Sequence, residues 1–380
     1  MRLLTCERCG QRVFFENLSC ESCGAALGFV PSELRFGAFE VQADGTWQRV
    51  DANAAPQRPC RNYALEHVCN WMVPSDSADE LCTSCQTTEV IPALTNLENR
   101  RHWQAIEQAK RRLFYSLATM NLPAPSKARD PAHGLSFHFL EQVTPKEKVL
   151  TGHDEGVITL NIAEADDARR EQMRTHLHEP YRTLLGHFRH EIGHYYWDRL
   201  IEGSPWKDQF RQLFGDESAD YAEALKKHYA TPLADWQKSF VSVYASAHPW
   251  EDWAECWAHY LHIQDGLETA AAWGLRLDQA QPGAALVAPL PLAMEGAATA
   301  LEPVLIEQWL PVSQFINAMD RSLGSRDSYP FVMATSVIAK LEFIHRVVGA
   351  ASRREVAMRF AGLPLPTEPP QGVAFDQPTA

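Results

Sequence analysis

Eight of the nine cysteines fall between Cys6 and Cys85, and most of them fall in pairs. Cys6 and Cys9 form one C-x2-C turn and Cys20 and Cys23 a second, each followed by a glycine, Gly10 and Gly24. Such a turn aims two thiolates at one point, and glycine eases the backbone past an ion held there. Two turns complete a tetrahedral four-sulfur zinc site, the arrangement of a small zinc ribbon. Cys60, Cys69, Cys82 and Cys85 make a second set. Cys82-x2-Cys85 is again such a turn, whereas Cys60-x8-Cys69 is not a standard spacing, and His67 could replace one thiolate. A segment this short, with few long apolar runs, draws its stability largely from metal. The reading is a zinc ribbon over residues 1–26 and a second cysteine-rich zinc module over 27–92.

Charge narrows what these modules can bind. From Met1 to Val90 there are 7 Lys and Arg against 12 Asp and Glu, a balance of −5, within a chain of net charge −13. That excludes a phosphate-binding surface and disfavours nucleic acid and anionic membranes; a protein partner docking on the ribbons is the alternative to a purely structural role. The start, MRLLTCERCG, has no apolar run of signal-peptide length. The longest apolar stretch, near Ala284 to Met294, is broken by Pro289 and Pro291 and is too short to span a bilayer. A soluble, cytoplasmic protein is expected, where paired cysteines bind metal rather than form disulfides.

Beyond Pro92 the periodicity changes. Leu97, Trp103, Ile106, Leu113, Phe114 and Leu117 recur at helical spacing until Pro123. Leu135–Leu140 and Val157–Ile162 alternate as strands, and the second is expected to be an edge strand able to pair with an extended peptide. A helix is expected from Pro180 to about Ile201, others over about Ser218–His228 and Pro249–Gln264, and a mainly helical region from Pro303 to Val348. The tail after Leu363 is rich in Pro, Gly and Gln, and 351–380 is expected to be largely disordered. His176, His178, His259 and His262 are expected to be solvated or satisfied in the core, and Cys256 to be a buried apolar residue. Asp216, Glu217 and Asp220 read as a helix N-terminus.

The chemistry concentrates in His190-Glu191-Ile192-Gly193-His194, an H-E-x-x-H pattern. His190 and His194, at i and i+4, share one helix face and can meet one ion, while Glu191 projects about 100° away, beside the metal. His187 offers a rival trio, but one spread over two helical turns. His194 runs on into Tyr-Tyr-Trp-Asp-Arg, so a third ligand must come from elsewhere. Pro249 opens a helix that places Glu251 in its first turn and Glu255 one turn on, on the same face. One carboxylate can bind zinc while the other orients a ligand histidine from behind.

Together, the cysteine pairs, Cys69-Asn-Trp71, His190 to Trp197, Phe214-Gly-Asp216, His248-Pro-Trp-Glu-Asp-Trp-Ala-Glu255 and Asp327-Ser-Tyr-Pro-Phe331 resemble the bacterial zinc-binding metallopeptidases that carry an N-terminal zinc ribbon, a gluzincin-like family. The resemblance runs from Cys6 to about Val348. It implies an α+β chain: zinc-ribbon and knuckle modules, then a mainly helical zincin-like metallopeptidase domain with a small sheet over 93–350. A more distant similarity is to the catalytic domain of anthrax lethal factor, where a Tyr stands seven residues before the zinc-binding Glu of an E-x-x-A-E segment. Tyr244 and Glu251 have that spacing here. The match implies Glu251 as the zinc ligand with His190 and His194, Tyr244 as the oxyanion stabiliser, and Glu255 behind the site.

Three protein ligands leave one position for water, whose pKa zinc lowers to about 7. The expected activity is hydrolysis of peptide bonds in a peptide or protein through that zinc-bound water, with Glu191 as general base. Zinc is expected at one catalytic and one or two structural sites. The alternative is a catalytically silent, zinc-stapled protein-interaction module, which needs neither a base nor an oxyanion donor.

Overall fold

Each C-x2-C turn of the first ribbon is closed by its glycine. Gly10 and Gly24 have φ of 73° and 71°, and their N–H groups donate to Cys6 O at 2.9 Å and Cys20 O at 2.8 Å. A residue with a Cβ resists that left-handed backbone. The computed structural model describes residues 1–43, 46–142, 144, 149, 151–176, 181–277 and 300–361. The chain divides into two units, Met1–Phe188 with Asp265–Pro289, and Arg189–Gln264 with Leu290–Ala380.

In the first unit, β1 (Leu4–Thr5) pairs with β2 (Arg12–Val13), and β3 (Ala26–Val30), β4 (Arg35–Val41) and β5 (Trp47–Arg49) form an antiparallel meander. β6 (Gln57–Pro59) and β7 (Met72–Pro74) pair around the short helix α1 (Arg61–Ala64). β8 (Thr88–Val90), β9 (Ser136–Leu140), β10 (Gly152–Asp154) and β11 (Val157–Asn161) form a mixed sheet in the order β10-β11-β9-β8. The helices are α2 (Leu97–Thr119), capped by the Asn96 side chain, and α3 (Asp167–His176).

Contacts cross the expected boundaries at 26/27 and 92/93. Phe15 and Phe29 meet Tyr115 of α2, and Trp71 packs on both, with Phe15 5.7 Å from Tyr115 and Phe29 5.2 Å from Trp71. Asn70 Nδ2 donates to Phe15 O at 2.6 Å. Buried Arg49 bridges Glu7, inside the first cysteine turn, and Glu33, whose carboxyl it holds down at about 2 against the opposing effect of burial. β8, inside the expected second module, pairs with β9 of the domain that follows. Modules this small cannot bury enough apolar surface alone, so they share a core.

Two expectations are corrected. Val157–Asn161 is an inner strand, flanked by β9 and β10, so it is not the edge expected to receive a peptide. Glu155 and Gly156, with φ of 45° and 81°, fold β10 back onto it in a two-residue turn of the kind that suits hairpin twist. The long helix α4 (Leu184–Leu200) begins later than expected. Thr183 supplies the cap, its hydroxyl accepting from Gly186 N at 2.9 Å, whereas Pro180 lies outside the described residues.

In the second unit α4 continues from Arg189 and is followed by α5 (Lys207–Phe214) and α6 (Tyr221–Ala230). A tight turn over Tyr244–Ala247 leads into α7 (Pro249–Ala272). A helical run joins α8 (Leu301–Val304) through Leu305–Trp309 to α9 (Leu310–Ser322), before α10 (Thr335–Ala361). The run of helices expected from Pro303 to Val348 is thus interrupted between Ser322 and Thr335. α10 enters the stretch expected to be disordered, because Ala350 to Ala357 contains strong helix formers. Residues 362–380, the stretch Ala284–Met294, His178 and the side chain of His176 lie outside the described residues. Among the described residues no helix is long and apolar enough to cross a membrane.

The core of the second unit is aromatic. Trp253 and Trp257 of α7, Tyr196 of α4, Phe210 and Phe214 of α5 and Phe343 of α10 are in ring contact, Tyr196 stacking on Trp257 at 4.9 Å. Lys340 donates to buried Asp252 at 2.5 Å and to Ser239 O at 2.8 Å. Despite that partner, burial pushes the Asp252 carboxyl up to about 7.

Candidate metal centre

α4 and α7 approach unusually closely where the chemistry lies. A Cβ at Gly193 would stand 3.0 Å from Ala254 Cα and 3.1 Å from Trp257 Cβ. The glycine inside H-E-I-G-H is therefore a packing requirement. Trp253 Nε1 locks the same contact by donating to Gly193 O at 2.8 Å. Gly193→Val forces these backbones apart and is expected to lower the melting temperature and zinc retention together. A variant that keeps wild-type zinc would show that the approach is not needed; overpacking of this kind costs about 1–3 kcal/mol.

With the helices so placed, His190, His194 and Glu251 converge. Glu251 Oε2 lies 3.0 Å from His190 Nε2 and 3.6 Å from His194 Nε2, and the two Nε2 atoms are 3.2 Å apart. Tetrahedral zinc with bonds of about 2.0–2.1 Å holds such donors about 3.3 Å apart. Glu251 is 1% exposed, and its Oε2 faces the two imidazoles. A buried carboxylate oxygen facing two imidazoles is a donor set that a cation fits.

Glu255 stands behind this trio. Its Oε1 is 2.8 Å from His190 Nδ1, and its Oε2 accepts from Ser242 Oγ at 2.6 Å. A proton on Nδ1 facing Glu255 leaves the Nε2 lone pair to the metal, which is how a carboxylate fixes a ligand histidine. Burial pulls the His190 imidazole pKa down, but Glu251 and Glu255 outweigh it and hold it well above its usual value. Burial likewise raises Glu251, and His190 and His194 overcome it to hold the carboxyl well below its usual range.

Glu191 is buried next to the trio, and desolvation lifts its carboxyl above the usual range while the two histidines pull the other way. Tyr244, in the turn before α7, has its ring 5.9 Å from that of His190. Burial, and next the Glu251 charge, raise its phenol far above the ordinary value, so it stays a hydrogen-bond donor. Three partners escaped the sequence reading. Trp250 packs on His194 at 4.1 Å, Ser242 supports Glu255, and the Tyr221 hydroxyl donates to Glu251 Oε1 at 2.6 Å. Trp250 was legible as a neighbour of Glu251; Ser242 and Tyr221 lie outside any helical spacing shared with the motif.

The remaining candidates have other partners. His187 Nδ1 is 3.5 Å from Glu164. His259 Nδ1 meets the Tyr329 hydroxyl at 2.7 Å, and burial lowers its pKa to about 4. His262 contacts Arg189, and Cys256 Sγ donates to Asp252 at 3.6 Å. Asp220 caps α6, accepting from Glu223 N at 2.9 Å, whereas Glu217 pairs with Arg211 at 2.7 Å and Asp216 accepts from Ser218.

Both cysteine sets close in the first unit. Cys6 and Cys23 sulfurs are 3.7 Å apart, Cys9 and Cys20 3.6 Å, and Cys69 and Cys82 3.8 Å. The four sulfurs of each set lie within 4.8 Å of one another. Zinc–sulfur bonds of about 2.3 Å set tetrahedral edges of about 3.8 Å, so both sets fit zinc. Cys60 and Cys69 complete the second set; His67 is exposed and not part of it.

Two family models match the chain: "putative zinc-binding metallo-peptidase" over residues 99–347 and "zinc-ribbon domain" over residues 3–96. Relatives described as uncharacterized proteins, from Mycobacterium bovis and two Mycobacterium tuberculosis strains, are 47% identical over 350 residues, covering 92% of this chain and 95% of each relative. No solved structure is a significant match.

Proposed function

We propose that this chain, which belongs to the family described as putative zinc-binding metallo-peptidases, is a zinc-dependent peptidase with Glu191 as general base and Tyr244 as oxyanion donor. The observation that carries the reading is the convergence of His190 Nε2, His194 Nε2 and Glu251 Oε2 with a buried fourth group, Glu191, that none of the three needs as a ligand. When bound, zinc supplies a Lewis acid that polarises the scissile carbonyl and acidifies water. Glu191 takes the proton from water as its oxygen bonds to the carbonyl carbon. It then gives that proton to the nitrogen as the C–N bond breaks. The raised carboxyl of Glu191 suits a base that must also return its proton. Tyr244 donates to the oxygen that gains charge as the carbon becomes tetrahedral.

The test combines cleavage of a proteome-derived peptide library with zinc analysis. Wild type is expected to cleave peptides and to carry about three zinc ions, one for each cysteine set and one for the histidine site. Glu251→Ala is expected to lose the histidine-site zinc and drop to about two, while Glu255→Ala keeps it with affinity weakened about 10- to 100-fold. The reverse order would move the ligand role to Glu255. A wild type that cleaves nothing would favour the silent interaction module.

A further inference from the structure

We propose that Tyr221 is a positioning residue for the metal site: its hydroxyl holds the Glu251 carboxylate so that Oε2, and not Oε1, faces His190 and His194. The inference rests on the peptidase-site reading above. The two oxygens of Glu251 have separate tasks in the structure. Oε1 accepts from the Tyr221 hydroxyl at 2.6 Å, and Oε2 sits among the two Nε2 atoms at 3.0 and 3.6 Å. At 1% exposure Glu251 receives almost no help from solvent. Without the donor, the carboxylate could turn to offer both oxygens or neither, since an ionised carboxylate accepts equally well at each. Tyr221 thus does for Glu251 what Glu255 does for His190.

The seat of the tyrosine is built for this. Tyr221 is the first residue of α6, directly after the Asp220 cap. His248 Nε2 donates to Ala219 O at 3.1 Å, fixing the backbone two residues earlier, while its Nδ1 accepts from Trp250 N at 3.1 Å. The Tyr221 ring meets the His248 ring edge-on at 5.2 Å and Trp250 at 6.2 Å. His248 and Trp250 flank Pro249 at the start of the helix that carries Glu251, so donor and acceptor are set from one short stretch. No residue of α6 is buried, and Tyr221 is itself 38% exposed. Apolar burial therefore does not explain why the ring is here, and an exposed tyrosine kept only for packing would point its hydroxyl to water.

Tyr221→Phe in the full chain keeps the ring contacts and removes the hydroxyl, which also meets Tyr244. The probe is zinc itself, titrated against a chelator under conditions that leave the cysteine sites loaded. The expected result is a histidine-site zinc dissociation constant weaker by about 10- to 100-fold with the melting temperature of the loaded protein unchanged, and a kcat that partly recovers at saturating zinc. Asp220→Ala, which removes the α6 cap but keeps the hydroxyl, is expected to weaken zinc far less. Equal weakening in both variants would make helix placement, not the hydroxyl, the cause and would overturn the proposal. So would wild-type zinc affinity in Tyr221→Phe, including the case where kcat alone falls. Glu251→Ala is run alongside: if it too keeps its zinc, the reading of the site fails, and if it alone loses zinc, only this inference fails.

Discussion

Glu191→Ala is expected to leave a folded, fully zinc-loaded protein whose peptide cleavage is lower by about 100- to 10,000-fold, the range a positioned proton carrier supplies. The structure explains why the loss would be chemical. Glu191 is a buried carboxyl whose ionisation is opposed by desolvation, so removing it relieves a burial cost instead of creating one. It is not among the atoms that converge on the metal position. Its neighbours His190 and His194 keep Glu255 and Glu251 as partners. The measurement is kcat/KM on a cleaved library peptide, with zinc content and melting temperature determined on the same sample. Cleavage undiminished at equal zinc would remove Glu191 as the base. A fall in zinc parallel to the fall in rate would make it a structural neighbour of the site.

The metal groups were legible because their geometry is local. Two histidines at i and i+4, two glutamates at i and i+4 and two C-x2-C turns each fix their own relative placement through a helix or a tight turn. The relation between the two helices was not local. It depends on Gly193 meeting Ala254 and on Trp253 reaching Gly193 O, contacts that no periodicity encodes. Tyr221 was invisible for the same reason: a loop from Gly215 to Asp220 aims it, and its bond to Glu251 spans 30 residues. β10 has three residues, too few to show alternation, and without it β11 read as an edge. α5 has eight, and its apolar residues, Phe210, Leu213 and Phe214, were too few to announce it. The contacts that cross the expected module boundaries were not legible, because metal clusters are visible as spacing, whereas the aromatic core that joins Phe15 and Phe29 to Tyr115 is assembled from segments a hundred residues apart.

That shared core sets the outcome of the last prediction. Cys82→Ser is expected to remove one zinc per chain and to lower the melting temperature by roughly 10 °C, with the first ribbon weakened as well. Cys82 is buried, and burial first, then Cys60, Cys69 and Cys85, push its thiol well above the ordinary range. The four sulfurs of this set lie within 4.8 Å of one another, and zinc would hold them as a tetrahedron of thiolates. Structural zinc binding is worth about 10–16 kcal/mol where the metal alone drives folding; with an aromatic core already holding the chain, its loss costs a fraction of that, about 3–4 kcal/mol. At about 2–4 °C per kcal/mol for a unit of this size, that is the shift expected. The effect reaches beyond the site because Trp71, whose N–H donates to Cys69 Sγ at 3.4 Å, packs on Phe29 and Phe15. Cys9→Ser in the first ribbon changes an exposed ligand and is expected to cost less. Cys256→Ser, equally buried but in no cluster among the described residues, is expected to keep every zinc. Zinc content, thermal melting and limited proteolysis between residues 57 and 90 separate these cases. A Cys82→Ser protein that retains its zinc and its melting temperature would mean that the aromatic core alone holds this part of the chain.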